Sequence, residues 1–212
     1  MNGVTLWAAD LDDWRPPPDL SPFEVREVLP GDVAGVIKAM GGEGELVRLR
    51  LARGCRCFAI VANDGVAGEG EDVMGYGWLS SGAEWIGEIR LEVNPERGEA
   101  YVWNCLTLPE HRRRGMFRAL LVRICAVLQA EGVARLWIAS ARGGTLNTLA
   151  AAGFRPVLAI SESNLAGLRL LRTSAASAAH PGLVSAARRV LATRGLSLGS
   201  WGLVRRPGVR RH

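Results

Sequence analysis

Arg112, Arg113 and Arg114 stand directly before Gly115, and Gly115 directly before a run of apolar residues at helical spacing. The first four N–H groups of a helix have no intrahelical partner, and the aligned peptide dipoles add partial positive charge there. Glycine lets a ligand approach the main chain where a Cβ would intrude. The chemistry implied is capture of an anion, above all a phosphate. An exposed arginine contributes about 0–1 kcal/mol to such a site, whereas a main-chain amide bonded to a charged group contributes about 1.5–3 kcal/mol. The amides around Gly115 are therefore expected to outweigh the arginines.

Other chemistries find less support. The cysteines are Cys55, Cys57, Cys105 and Cys125, at spacings that suit neither a zinc site nor a disulfide framework. They read as reduced, mostly buried thiols, and no metal site is expected. His111, His180 and His212 fall in turn or tail contexts, so none is placed to activate Cys105 as a nucleophile.

The elements that must position these residues can be read along the chain. Residues 1–22, with the run RPPPDLSP, read as an N-terminal extension that leads into the fold. Residues 23–173 read as one domain. Phe23–Leu29 alternates as a strand, two short helices come next with Asp32 capping the first, and Gly54 ends the second. Strands are expected from Cys55 and from Val73, joined through a turn at Asn63 to Gly65 and a glycine-rich loop. Residues 82–98 read as an irregular loop holding one strand, and Glu99–Leu108 as a strong strand. The long helix places Phe117, Leu120, Leu121, Ile124, Val127 and Leu128 on one face. A strand, a short helix with Thr145 at its start and Gly153 at its end, and an antiparallel pair complete the domain. Residues 174–212 form a C-terminal Ala/Arg-rich extension with an amphipathic helix, whose apolar side needs either the domain or a second copy of the chain in a homodimer. The order of elements is that of a mixed α/β layer protein.

The bulk properties agree with a soluble domain. Hydrophobic residues make up 48% of the 212, enough for a sizeable core, and charged residues 22%. No apolar run is long enough to span a membrane, and the acidic start lacks a secretory pattern. A cytoplasmic location is expected, with no membrane partner. From Arg155 onward ten arginines face one acid, Glu162. No aromatic or nucleic-acid motif accompanies them, so they read as a solvated tail with no nucleic-acid partner.

The segment LTLPEHRRRGMFRALL resembles the signature of the GNAT superfamily of N-acetyltransferases: a strand, a proline, then Arg/Gln-x-x-Gly-x-Gly/Ala opening a helix. Arg112 and Gly115 match, while Phe117 stands where the family has Gly or Ala. Downstream, GGTLNTLAAAGF resembles the second family motif, with Thr145 as hydroxyl cap and Gly153–Phe154 as its end; Arg142 stands where that motif often has asparagine. The resemblance implies an acyl-CoA N-acyltransferase fold, with a central, mostly antiparallel mixed sheet and helices on both faces. It implies acetyl-CoA as co-substrate, held where two parallel central strands splay apart. Its pyrophosphate would meet the amides of Arg113, Arg114, Gly115, Met116, Phe117 and Arg118, with Arg112, Arg142 and Thr145 nearby. Its pantetheine arm would pair with the main chain of Cys105, Leu106 and Thr107.

Acetyl transfer requires a neutral amine, so a carboxylate must take its proton, directly or through water. The motif tyrosine that often protonates the leaving thiolate is replaced by Leu149. Alternation puts Glu99, Tyr101, Trp103 and Cys105 on one side of their strand. Glu88 or Glu99 is expected as the base and Tyr101 as acid or orienter. Glu84 and Glu88 come from a segment that could line the acceptor pocket, and Trp78, Trp85 and Trp103 could wall it with an apolar or cation-binding surface. The function this implies is acetylation of a primary amine, first a small molecule and second a protein or peptide amine, by direct attack in a ternary complex. A non-catalytic acyl-CoA-binding regulatory module is the rival from another class.

Overall fold

The computed structural model describes residues 3–17, 23–61, 72–141, 145–165, 168–191, 197–198 and 201–203. In chain order the elements are β1 (Gly3–Asp10), β2 (Glu24–Glu27), α1 (Ala34–Met40), α2 (Leu46–Ala52), β3 (Arg56–Val61), β4 (Val73–Ser80), β5 (Glu84–Ile86), β6 (Leu91–Val93), β7 (Glu99–Thr107), α3 (Met116–Ala130), β8 (Arg135–Ala141), α4 (Leu146–Ala151), β9 (Arg155–Leu165), β10 (Leu168–Ala175), α5 (Pro181–Val190), β11 (Ser197–Leu198) and β12 (Trp201–Leu203). The large sheet runs β11-β12-β10-β9-β1-β8-β7-β4-β3-β2, and β5 and β6 form a separate hairpin. Among the described strands β7 and β8 are the parallel neighbours; the other pairs are antiparallel. This is the mixed α/β architecture expected. The turn expected at Asn63 to Gly65 lies outside the described residues.

Helix α3 explains one side of the sheet. Its Leu120, Leu121, Ile124 and Leu128 are buried with Phe58, Val102, Ile138 and, from α4, Leu149. The i, i+3, i+4 spacing of these residues makes the apolar stripe that a sheet-covering helix needs. The other side carries two clusters. Helices α1 and α2 cover β3 and β4 around Trp78 and Val47. The β5–β6 hairpin and α5 cover β1, β8 and β9 around Trp137 and Leu158.

Three expectations need correction. Residues 3–10 do not lead into the fold: β1 is an inner strand, paired with β8 on one side and β9 on the other. Val4, Leu6 and Ala8 enter one core while Trp7 and Ala9 enter the other. A strand buried on both faces shows no polar alternation, which is why its sequence does not read as a strand. Residues 82–98 form a hairpin rather than one strand in a loop. Val33, not Asp32, holds the cap position of α1, and it makes no side-chain cap bond. Helix α5 takes the domain as its partner: Val184, Ala187 and Val190 are buried, Arg189 pairs with Glu96 at 3.0 Å, and Val93 bridges Leu191.

The segment after β1 locks onto α3 and α4. Trp14 Nε1 donates to Ala152 O at 3.0 Å, and Gln129 Nε2 to Leu11 O at 2.6 Å. Gly153 stops α4 at φ +90°, and a Cβ there would stand 2.6 Å from Trp14 Nε1. Both backbone and space demand glycine. Gly153→Ala is expected to destabilise the protein by about 1–3 kcal/mol, read as a lowered Tm.

Candidate active site

Strands β7 and β8 pair from Glu99↔Arg135 to Val102↔Ile138 and then part. Beyond that point Trp103–Cys105 and Ala139–Ala141 face a cleft of about 830 Å³. Its walls include Tyr101, Cys105, Phe117, Ser140, Thr145 and Leu149. The parting leaves strand edges whose N–H and C=O groups can receive an extended ligand as a further strand would be received.

At the head of the cleft the chain turns into α3. Gly115 occupies the cap position at φ +83°, Arg113 has φ +64°, and both are exposed. The helix ladder begins with Ala119 N–H to Gly115 O at 3.0 Å. Among the described residues, the amides of Arg113, Arg114, Gly115, Met116 and Phe117 meet no main-chain acceptor. Nothing lies within 4 Å of the place a Gly115 Cβ would take. Arg112 turns back, its Nε donating to Thr107 O at 3.2 Å, and ties this turn to the end of β7. Met116 is buried, while Phe117 and Arg118 are half-buried on the first turn. Phe117 packs against the α3 core as well as lining the cleft, so its ring is accommodated beside the turn rather than across it. Thr145 stands at the cap position of α4 but makes no side-chain cap bond. Arg142 lies outside the described residues.

Strand β7 is bulged. Tyr76 faces Leu106 and Trp78 faces Trp103, so Asn104 and Cys105 together oppose Gly77. Asn104 has φ +42°. A bulge reverses the sidedness of the residues beyond it. Tyr101 and Trp103 pack on the α5 and α2 side, but Cys105 packs on the α3 side, contrary to simple alternation. The Cys105 thiol, pushed up to about 12 by burial, remains un-ionised at neutral pH. Burial likewise raises Cys57 to about 12 and raises Cys125. In the unfolded chain a thiol ionises near pH ~8.5. The stability these groups lend is full below that pH and is lost as pH rises toward the folded values. Denaturant unfolding at pH 7.5 and pH 10 is expected to give a lower midpoint at the alkaline pH, with the loss reduced in Cys57→Ser or Cys125→Ala relative to each variant's own value at pH 7.5.

Of the three candidate proton-transfer groups, Glu88 and Tyr101 share the cleft and Glu99 does not. Glu88 is exposed on the short turn after β5 and lines the cleft. Tyr101 lines it too but is buried, and burial first, then the Glu88 charge, hold its phenol far above the usual tyrosine range. It stays protonated, fit to donate. Glu99 is a correction. It sits at the zipped end of the β7–β8 pair, buried, accepting from Arg135 Nη1 at 2.6 Å, Trp137 Nε1 at 2.9 Å and the Glu96 amide at 3.2 Å. A carboxylate so engaged closes the strand pair and takes no proton from a substrate. Glu84 is likewise buried, joined to Arg53 and, at 3.4 Å, to Cys55 Sγ.

Sequence reasoning missed Arg50. From α2 its guanidinium lies against both Trp78 and Trp103, 5.2 and 4.8 Å from ring centroids that are themselves 6.2 Å apart, and only 8% of the residue is exposed. Nη2 donates to Glu43 at 3.1 Å. The cation-binding surface expected from the tryptophans exists, and a side chain of the same protein fills it. Trp78 is fully buried, Trp103 lines the cleft, and Trp85 stands at its rim, 47% exposed.

The sequence model of the acetyltransferase (GNAT) family matches residues 41–154. A search of curated proteins returns no match. Among solved structures, a GCN5-related N-acetyltransferase from Sphaerobacter thermophilus is 16% identical with a TM-score of 0.55, the match covering 82% of this chain and 51% of that one. A glucosamine N-acetyltransferase region of a fungal multi-domain β-N-acetylglucosaminidase is 12% identical with a TM-score of 0.56, covering 74% of this chain and 20% of that one. These likenesses show the fold. The chain spans about half the length of the first and a smaller part of the second.

Proposed function

The chain belongs to the acetyltransferase (GNAT) family, and from that premise we propose that it transfers an acetyl group from acetyl-CoA to the primary amine of a small molecule, by direct attack in a ternary complex. The observation that carries the reading is the parted parallel pair β7–β8 with main-chain donors at its head. The residues fit the co-substrate. Amides from Arg113 to Phe117 without a main-chain acceptor suit a diphosphate, the edge of Cys105 and Leu106 that β8 no longer pairs suits a thin amide-bearing arm, and the cleft suits its passage.

The co-substrate supplies a thioester carbonyl open to an amine. The chain supplies the rest. Glu88, exposed on the cleft wall, takes the ammonium proton directly or through one water. Tyr101, held protonated, donates toward the departing sulfur or orients it. Cys105 takes no covalent part, because its thiol remains protonated. Strand and helix walls around Leu149 and Ile138 limit water at the reacting end.

Free-thiol release from acetyl-CoA across a panel of amines, with calorimetry of coenzyme A binding, tests the reading. Binding with amine-dependent release supports it. Binding without release from any amine favours an acyl-CoA-binding module, and absence of binding overturns the proposal.

A further inference from the structure

We infer that Arg50 is a positioning residue for the acyl-CoA site, acting through Asn104 to hold the bulge that sets the course of β7 along the cleft. The inference rests on the acyl-CoA reading above and adds a residue remote from the family motifs.

Asn104 adopts φ +42° inside a strand. Asparagine visits the left-handed region more readily than most residues, but the conformation still needs support. Arg50 provides it. The Asn104 carboxamide is oriented with its oxygen toward the guanidinium, as its donors require, and accepts from Nη1 at 2.8 Å and Nη2 at 3.2 Å. Arg50 is itself fixed on several sides: the adjacent indoles of Trp78 and Trp103, Glu43 at 3.1 Å, and Met40 Sδ at 4.0 Å. A planar group resting against two adjacent rings and bonded along its edge cannot be replaced by lysine, which lacks both the plane and the fork. One of those rings belongs to Trp103, the residue before Asn104 in the same strand. Arg50 thus grips two successive residues at the point where β7 stops following β8. Downstream of that point lies the main chain of Cys105–Thr107. Releasing Asn104 would let the strand shed its extra residue or shift it, and every group after Trp103 would exchange faces.

A double-mutant cycle with coenzyme A as the probe tests this. Arg50→Met keeps the volume and removes all donors. Asn104→Gly makes the positive φ easy without Arg50. Calorimetric Kd values are expected to rise about tenfold for Arg50→Met in the otherwise unchanged protein, the loss of about one main-chain hydrogen bond to the probe. In the Asn104→Gly background the same substitution is expected to change Kd by less than about twofold, the non-additivity of residues that act as one unit. A purely structural role for Arg50 would lower Tm in both backgrounds and leave no such coupling in Kd. If Arg50→Met does not yield folded protein, Arg50→Lys runs through the same cycle with the same expectation. Equal losses in both backgrounds, or no loss in either, overturn the inference while coenzyme A still binds the unmutated protein. Absence of binding by the unmutated protein overturns the acyl-CoA reading itself, and the inference with it.

Discussion

Gly115→Asp is expected to weaken coenzyme A binding by about a hundredfold with little change in Tm. Two effects add in the ligand term. The new carboxylate stands where nothing lies within 4 Å, at the opening of the amide cluster, so it competes for the same donors and repels a diphosphate. Losing one or two charge-assisted amide bonds at about 1.5–3 kcal/mol each, at about 1.4 kcal/mol per tenfold, gives that magnitude. The folded-state cost is small because aspartate tolerates a positive φ better than most residues, and an acid at a helix start favours the dipole. Alanine substitution of Arg113 or Arg114 separates the two kinds of donor. Each side chain is exposed, so each loss should be several-fold at most and fade with added salt. Calorimetry at low and high ionic strength reads both. An arginine loss as large as that of Gly115→Asp would show that charge, not main-chain geometry, dominates the seat.

Glu88 and Glu99 are expected to fail in opposite ways. Glu99→Ala removes three hydrogen bonds and leaves Arg135, only 22% of whose side chain is exposed, facing Asp10 at 3.8 Å as its remaining carboxylate. Breaking one partner of a buried pair costs about 3–5 kcal/mol. Below its lowered Tm, however, the folded variant should retain the unmutated kcat, since Glu99 lies at the closed end of the strand pair. Glu88→Gln should leave the melting curve where it is, because Glu88 is exposed. Its kcat/KM should drop by about a hundredfold, the magnitude general base catalysis carries. Unfolding curves and thiol-release kinetics on the same samples decide. Unchanged kinetics in Glu88→Gln would remove it from the mechanism.

The elements with a clear period were readable from residues alone. Leu120, Ile124 and Leu128 announce α3, and positive-φ glycines at 54 and 153 close α2 and α4 as expected. β1 was not readable, because burial on both faces erases the alternation that signals a strand, and the acids just after it gave the segment a polar look. The seat at Gly115 was legible because it is local, a few consecutive residues at a strand-to-helix turn. The surroundings of the cleft were not, because their parts meet only in the fold: Arg50 reaches Trp78, Trp103 and Asn104 from another element, and Glu99 is drawn to the closed end of the strand pair by Arg135, 36 positions away. Cys105 was assigned the wrong face because alternation cannot foresee an inserted residue at Asn104.

The placement of β1 also governs how the protein can be made. Trp7 must bond Ser140 across 133 positions, and at about 5–20 residues per second a ribosome spends on the order of ten seconds between them. Throughout that interval an apolar strand that emerged early has neither neighbour. When β8, α4 and β9 finally appear, they have the connectivity of a right-handed crossover and could pair directly in parallel, shutting out the strand that belongs between them. Slow, topologically distant pairing of this kind raises the barrier to the native state and exposes sticky edges meanwhile. Yield of active protein should therefore respond to synthesis rate and chaperone supply more than to purification conditions.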